Sequence, residues 1–143
     1  MKGPTEMNRL EDEAAIRNLI AAYCHCYDDG RADDFADLFT DDATFTVMGH
    51  VHEGRAQIHE HIGIHKPGVP PGQHVSYNCV IEIDESGDTA RGWTDFAYLK
   101  KTDDGFAIST AGRYYDRLTR QPDRWRFQTR VIVFLGDPVP PDA

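Results

Sequence analysis

The sequence predicts an α+β fold in which helices come first and a long antiparallel meander follows, with the helices packed on one face of a curved sheet that encloses a pocket. Three observations predict it. The N-terminal segments carry apolar residues at helical spacing. Everything from His74 onward is rich in Val, Ile, Tyr, Phe, Trp and Thr. These later segments are separated by "DESGD", "KTDDG" and "RQPDR", whose Gly, Pro and Asp content marks turns.

The elements follow in order. From Asn8 to Asp29, Ile16, Ile20, Tyr23 and Tyr27 recur on one helical face, and "NRLE" offers Asn8 as an N-cap with Glu11 reaching back as a capping box. Gly30 is placed to stop that helix. "ADDFADLF" reads as a second, shorter helix whose apolar stripe is Phe35, Leu38 and Phe39, so the two form a helical hairpin. "ATFTVMG" alternates like a strand, and "EGRAQIHEHIGI" returns to helical period with Ile58 and Ile62 on one face. Four strands of about eleven residues each complete the meander. The tail "GDPVPPDA" is proline-rich and reads as irregular, and no internal repeat is present.

Composition narrows the function. A chain of 143 residues, 40% apolar and 10% aromatic, is expected to form one domain, 1–143, around an ordinary core. A formal charge of -9 argues against nucleic acid or an anionic membrane as partner, since both call for a basic face. No apolar run approaches the roughly 18 residues of a membrane span and no charged-then-apolar leader opens the sequence, so a cytoplasmic location is expected. Cys24, Cys26 and Cys79 form no disulfide framework and read as reduced thiols.

One stretch conflicts with helix energetics. "YCHCYDDG" places Asp28 and Asp29 in the last turn of the first helix, where the dipole favours cations by roughly 0.3–1 kcal/mol per charge. Something other than helix stability is therefore expected to hold an aspartate there.

"YCHCYDDGRADDFADLFTDDATF", "GQHVSYN", "AGRYYDRL" and "RWRF", in that order and spacing, resemble the SnoaL-like branch of the nuclear transport factor 2-like superfamily over nearly the whole chain. The resemblance implies a cone-shaped α+β barrel, in which a bent, mixed and mostly antiparallel sheet and N-terminal helices surround a deep pocket. Its members include scytalone dehydratase, bile-acid dehydratase, hexachlorocyclohexane dehydrochlorinase, polyketide cyclases, ketosteroid isomerase, limonene epoxide hydrolase and the non-catalytic β subunits of ring-hydroxylating dioxygenases. In the dehydratase and dehydrochlorinase members an aspartate ending the first helix pairs with a histidine opening the long strand. Those positions fall here on Asp28 and His74, and Tyr23 matches a tyrosine of the bile-acid dehydratase. The isomerase's proton-shuttling aspartate corresponds to Val47, and the second histidine of scytalone dehydratase has no counterpart around Ala97 to Leu99. The epoxide hydrolase's Asp-Arg-Asp set has no clear match.

A histidine whose ring N–H is held by a carboxylate is fixed in one tautomer and is a better base at its other nitrogen. His74 is thus the expected base, Asp28 its orienter, and Tyr23 a donor to a developing oxyanion or departing hydroxide, with no cofactor required. Each has a plainer reading: Asp28 as a solvated surface acid, His74 as a structural strand-start residue, Tyr23 as core. If His74 faces the pocket, strand parity adds Ser76 and Asn78 and turns Val75, Tyr77, Cys79 and Ile81 away. In the next strand Trp93, Asp95, Ala97 and Leu99 share a face, and Asp95 reads as a pocket acid or an edge residue. In "AGRYYDRL" either Arg113 or Tyr114 is expected to line the pocket, although surface pairing with acids is the simpler use of arginine.

The histidines of "HVHEGRAQIHEHIGIH" do not spell a metal motif. His61 and His65 can share a helix face with His59 to one side, but no third ligand stands at suitable spacing, so no metal is expected. The sequence therefore points to a lyase or isomerase/cyclase acting on a small apolar or aromatic-derived cyclic molecule. The alternative is a non-catalytic small-molecule binder or an assembly subunit of the dioxygenase β type. An apolar sheet face needing cover points to a homodimer or homotrimer.

Overall fold

The computed structural model describes residues 6–68 and 70–143. Helix α1 spans Glu6–Asp28 and buries Ile16, Leu19, Ile20 and Tyr23. It begins before Asn8, so that residue lies inside the first turn rather than at the expected N-cap position. Its end is a Schellman arrangement: Arg31 N–H reaches the Cys26 carbonyl at 2.9 Å and Gly30 N–H that of Tyr27 at 3.1 Å. The φ of +71° at Gly30 is what that turn needs and glycine supplies without a Cβ clash. Helix α2, Ala32–Asp37, then lays Phe35 into the core.

Strand β1, Phe39–Val47, turns through Met48 and Gly49, both at positive φ, into the short strand β2, His50–Glu53. The sequence pattern did not reveal β2, because "HVHE" is short and polar. Its signal was the Met48-Gly49 turn, of the kind that suits a tight hairpin. Helix α3, Arg55–Ile58, runs directly into a π-helical turn at His59–Gly63 rather than continuing as one regular helix. Four long strands follow: β3 Gly72–Ile83, β4 Thr89–Thr102, β5 Gly105–Arg120 and β6 Trp125–Phe134.

The sheet order is β2-β1-β6-β5-β4-β3, antiparallel throughout except where β1 runs parallel to β6. The sheet stays open, with β2 and β3 at its edges. Register shifts interrupt the β3–β4 pairing between Tyr77 and Cys79, the β4–β5 pairing between Tyr98 and Leu99, and the β5–β6 pairing between Arg117 and Leu118. Bulges of this kind bend strands, which curves the sheet around α1.

Its inner face presents Phe45, Ala90, Phe96, Tyr114, Leu118 and Phe127 to Ile16, Leu19, Ile20 and Tyr23 of α1. Side chains so enclosed contribute roughly 1.5–3 kcal/mol each. Asp12 is held in this packing by Arg120 at 2.5 Å and by the Trp125 indole N–H at 3.2 Å.

Candidate functional site

Asp28 is the last residue of α1, and the chain turns sharply away just beyond it. His74 stands near the start of β3, the edge strand against which α1 packs. The two meet through both carboxylate oxygens. Oδ1 lies 2.6 Å from the His74 ring Nδ1, and Oδ2 accepts the His74 backbone N–H at 2.7 Å. A carboxylate can only accept, so Nδ1 carries the proton, and in the neutral ring Nε2 is then the nitrogen with the lone pair. Both side chains are mostly enclosed, at 12% and 15% exposure. Two charge-assisted hydrogen bonds thus hold Asp28 against an unfavourable helix dipole. Asp29 behaves differently, 62% exposed and 3.7 Å from Arg31.

Aromatic rings fix the imidazole. Tyr27 meets it edge-on at 4.9 Å, and Tyr98, directly across from it on β4, packs on it at a tilt at 4.7 Å. Gly72, two residues earlier, lets this happen: the Tyr98 hydroxyl and ring occupy the space a Cβ there would take. Desolvation, the neighbouring phenol Tyr98 and then Asp28 push the Tyr27 phenol up, and burial followed by Asp28 does the same to Tyr98, so both stay protonated donors.

Beside this group opens a cavity of about 410 Å³. Tyr27 and Asp28 line it from the helix, Gly72 and Tyr98 from the sheet, and His61, Ile62, Ile64, His65, Lys66, Pro70 and Pro71 from the turn and loop between them.

Tyr23 lies a layer deeper than its expected role requires. It is 2% exposed, its ring is 6.4 Å from that of His74, and it packs on Phe35, Phe45, Tyr114 and the Arg130 guanidinium at 4.1 Å. Burial drives its phenol far above the ordinary value, with Arg130 opposing. The phenols that border the cavity are Tyr27 and Tyr98. Tyr114 does point inward, but it is 1% exposed and stacked on Phe96 at 4.3 Å, so it builds core rather than cavity wall.

The remaining expected binding residues face the other way. Asn78 has φ +48° at the β3 bulge, where it is unpaired between Tyr77 and Cys79. One extra residue flips the parity behind it, so Cys79 and Ile81, expected outside, pack on the core instead. Along β4 the buried residues Ala90, Gly92, Thr94 and Phe96 alternate, with Ala97 buried beside Phe96, which turns Trp93 and Asp95 to the outer face. There Arg113 binds Asp95 at 2.6 Å and the Asn78 amide reaches the same carboxylate at 3.1 Å. These four residues thus line an outer depression of about 470 Å³ rather than the cavity beside Asp28.

Strand parity also left one inward pair unnoticed. Arg130 of β6 binds Asp116 of β5 through two 2.8 Å hydrogen bonds, with both side chains at 0% exposure. Its guanidinium is flanked by Tyr23, Tyr114 and Phe127 at 4.1, 3.9 and 4.2 Å. Burial lifts the Asp116 carboxyl, and Arg130 opposes that rise. The signal was "YYDRL", an acid in the alternation between Tyr114 and Leu118.

Residues 8–131 match the SnoaL-like domain. The chain belongs to the SnoaL-like family. Among solved structures, this SnoaL-like protein is similar to Rv3472, a protein of unknown function from Mycobacterium tuberculosis, with a TM-score of 0.82 and 30% identity over 92% of this chain and 76% of that one. It also resembles a Novosphingobium aromaticivorans protein described as a scytalone dehydratase, with a TM-score of 0.77 and 18% identity over 91% and 88% of the two chains. A protein of the same organism described as the β subunit of an aromatic-ring-hydroxylating dioxygenase aligns with a TM-score of 0.76 and 22% identity over 94% and 95%. At such identities the last two likenesses show the shared fold. Among curated proteins, none matches the chain. No helix of the described residues is long and apolar enough to cross a membrane.

Proposed function

We propose that this SnoaL-like protein is a lyase or isomerase/cyclase in which His74 is the general base, acting on a small apolar or aromatic-derived cyclic molecule. The observation that carries the reading is the double grip on His74 of Asp28, which itself lines the cavity. The carboxylate accepts Nδ1–H, so the Nε2 lone pair takes a proton from a carbon next to a carbonyl. Electrons of that C–H bond move to the carbonyl as an enolate, whose oxygen accepts a hydrogen bond from Tyr27 or Tyr98. Collapse of the enolate then expels a β-hydroxide, which leaves as water with the proton held by Nε2, or returns the proton at another carbon. Neither course calls on a metal or cofactor. Tyr23 serves in this reading as the packed floor that positions the dyad.

Tautomer-resolved nitrogen NMR of His74, with and without Asp28→Asn, tests the pair before any substrate is known. Wild type should show a protonated Nδ1 and a bare Nε2, and the asparagine, whose amide can donate as well as accept, should mix the tautomers. Screening of β-hydroxy cyclic ketones should then find turnover that His74→Ala lowers by about 10²–10⁴-fold. A wild-type His74 protonated at Nε2 alone, or full turnover in His74→Ala, would remove it as the base.

The second reading, a binding or assembly subunit, draws on the outer sheet face, where Tyr77, Val80 and Ile108 are 46%, 55% and 67% exposed. Self-association as a homodimer or homotrimer fits the same face. Co-purification with a larger iron-dependent partner would favour the subunit reading over the enzyme.

A further inference from the structure

His52 on β2 and His61 in the π-helical turn are brought together although nothing in their spacing announces it. An uninterrupted helix would have set His61 and His65 on one face. The π turn, which often marks functional positions, instead sends His61 across to β2, while the His65 ring packs on Tyr27 at 4.6 Å. The Nδ1 atoms of His52 and His61 face each other at 3.3 Å, with ring centroids 5.4 Å apart. Two imidazole nitrogens bound to one tetrahedral ion at about 2.0–2.1 Å must themselves lie about 3.3–3.4 Å apart. The observed separation is that edge.

We propose that His52 and His61 form a two-histidine chelate for a borderline divalent cation of the zinc, cobalt or nickel type, bound through both Nδ1 atoms. Imidazole suits these ions and not magnesium or calcium, which take oxygen. Among the described residues no group of three His, Cys, Asp or Glu side chains gathers to hold a metal, so the remaining positions fall to water or an incoming ligand. His61 also lines the cavity beside Asp28, so a bound ion would tie that wall to β2. The site is independent of the role assigned to His74.

Cobalt titration of the untagged, metal-free chain, read by its visible bands, tests the site, with zinc followed by calorimetry. One ion per chain is expected. His52→Gln and His61→Gln should each weaken binding by at least about tenfold, since each removes one of two ligands. His59→Gln should leave it unchanged, because that ring is engaged by Asp33 at 2.7 Å. In the wild type, zinc should shift the ring Nδ1 signals of His52 and His61 together. No saturable binding, binding that survives either substitution, or shifts at Nε2 instead would each overturn the proposal.

Discussion

Each face of the sheet carries an Asp–Arg pair between neighbouring strands. On the inner face Arg130 meets Asp116 at 2.8 Å, and neither side chain is exposed. On the outer face Arg113 meets Asp95 at 2.6 Å, with the arginine half in solvent. The shorter contact should nonetheless matter less. Water already solvates Arg113 and screens its charge, so the pair contributes about 0.2–1 kcal/mol. Arg130 has no water to fall back on: it is ringed by Tyr23, Tyr114 and Phe127, and removing it strands a carboxylate in that shell. Enclosure rather than distance sets the worth of a polar contact here. The same distinction separates Asp28–His74, at 12% and 15% exposure, from His59–Asp33, where the aspartate is 97% exposed at nearly the same distance.

The largest expected effect breaks the inner pair. Arg130→Met should lower stability by about 3–5 kcal/mol at neutral pH, whereas Arg113→Met should cost no more than about 1 kcal/mol. Urea unfolding of the two variants measures the contrast. Arg130→Met combined with Asp116→Leu should recover much of the loss, because the stranded charge is then gone. Equal losses in the two single variants would show that the two faces do not differ as their exposure implies.

How far the sequence reached follows the same division. The helical stripe of Ile16, Ile20 and Tyr23 and the turn-punctuated strands were legible, because period and turn chemistry are local. So was the Asp28 anomaly, since a carboxylate at a helix C-terminus is unfavourable on its own terms. The inward reading of Asn78 rests on parity carried along β3 as if unbroken, whereas for Trp93 and Asp95, and for Arg113 as the alternative to Tyr114, nothing local says which face of the strand turns inward. The bulge at Asn78 reverses that parity for Cys79 and Ile81, and β4 faces inward through Thr94 and Phe96 rather than Trp93 and Asp95. A bulge is a tertiary decision with no local signature in "SYNCV". The His52–His61 contact was hidden for a related reason: a short polar strand and a π turn both fall outside the two simple periods.

A smaller effect sharpens the comparison at the site itself. Gly72→Ala puts a methyl where the Tyr98 hydroxyl and ring lie, so Tyr98 must move off His74. A stability loss of about 1–3 kcal/mol is expected, as for overpacking elsewhere. The decisive readout is the His74 ring signals, which should shift as the Tyr98 ring leaves. Unmoved signals would mean that Tyr98 yields without disturbing the dyad and does not position it.

The smallest effect lies on the outer face and depends on pH. The hydrogen bond from Arg113 holds the Asp95 carboxyl below the ordinary carboxylate value, helped by the Asn78 amide and opposed by desolvation. In the unfolded chain the group returns to about 3.9. A depressed folded pKa means that the folded state favours the ionised form, so its stabilisation is complete above about pH 4 and is lost as pH falls through the folded value. Wild type and Asp95→Asn should therefore differ modestly in unfolding midpoint at neutral pH and converge as the solution is acidified below about pH 4. A gap that persisted unchanged to the lowest pH at which both remain folded would show that Asp95 stabilises the sheet through packing rather than charge, and the outer pair would then have to be grouped with the inner one.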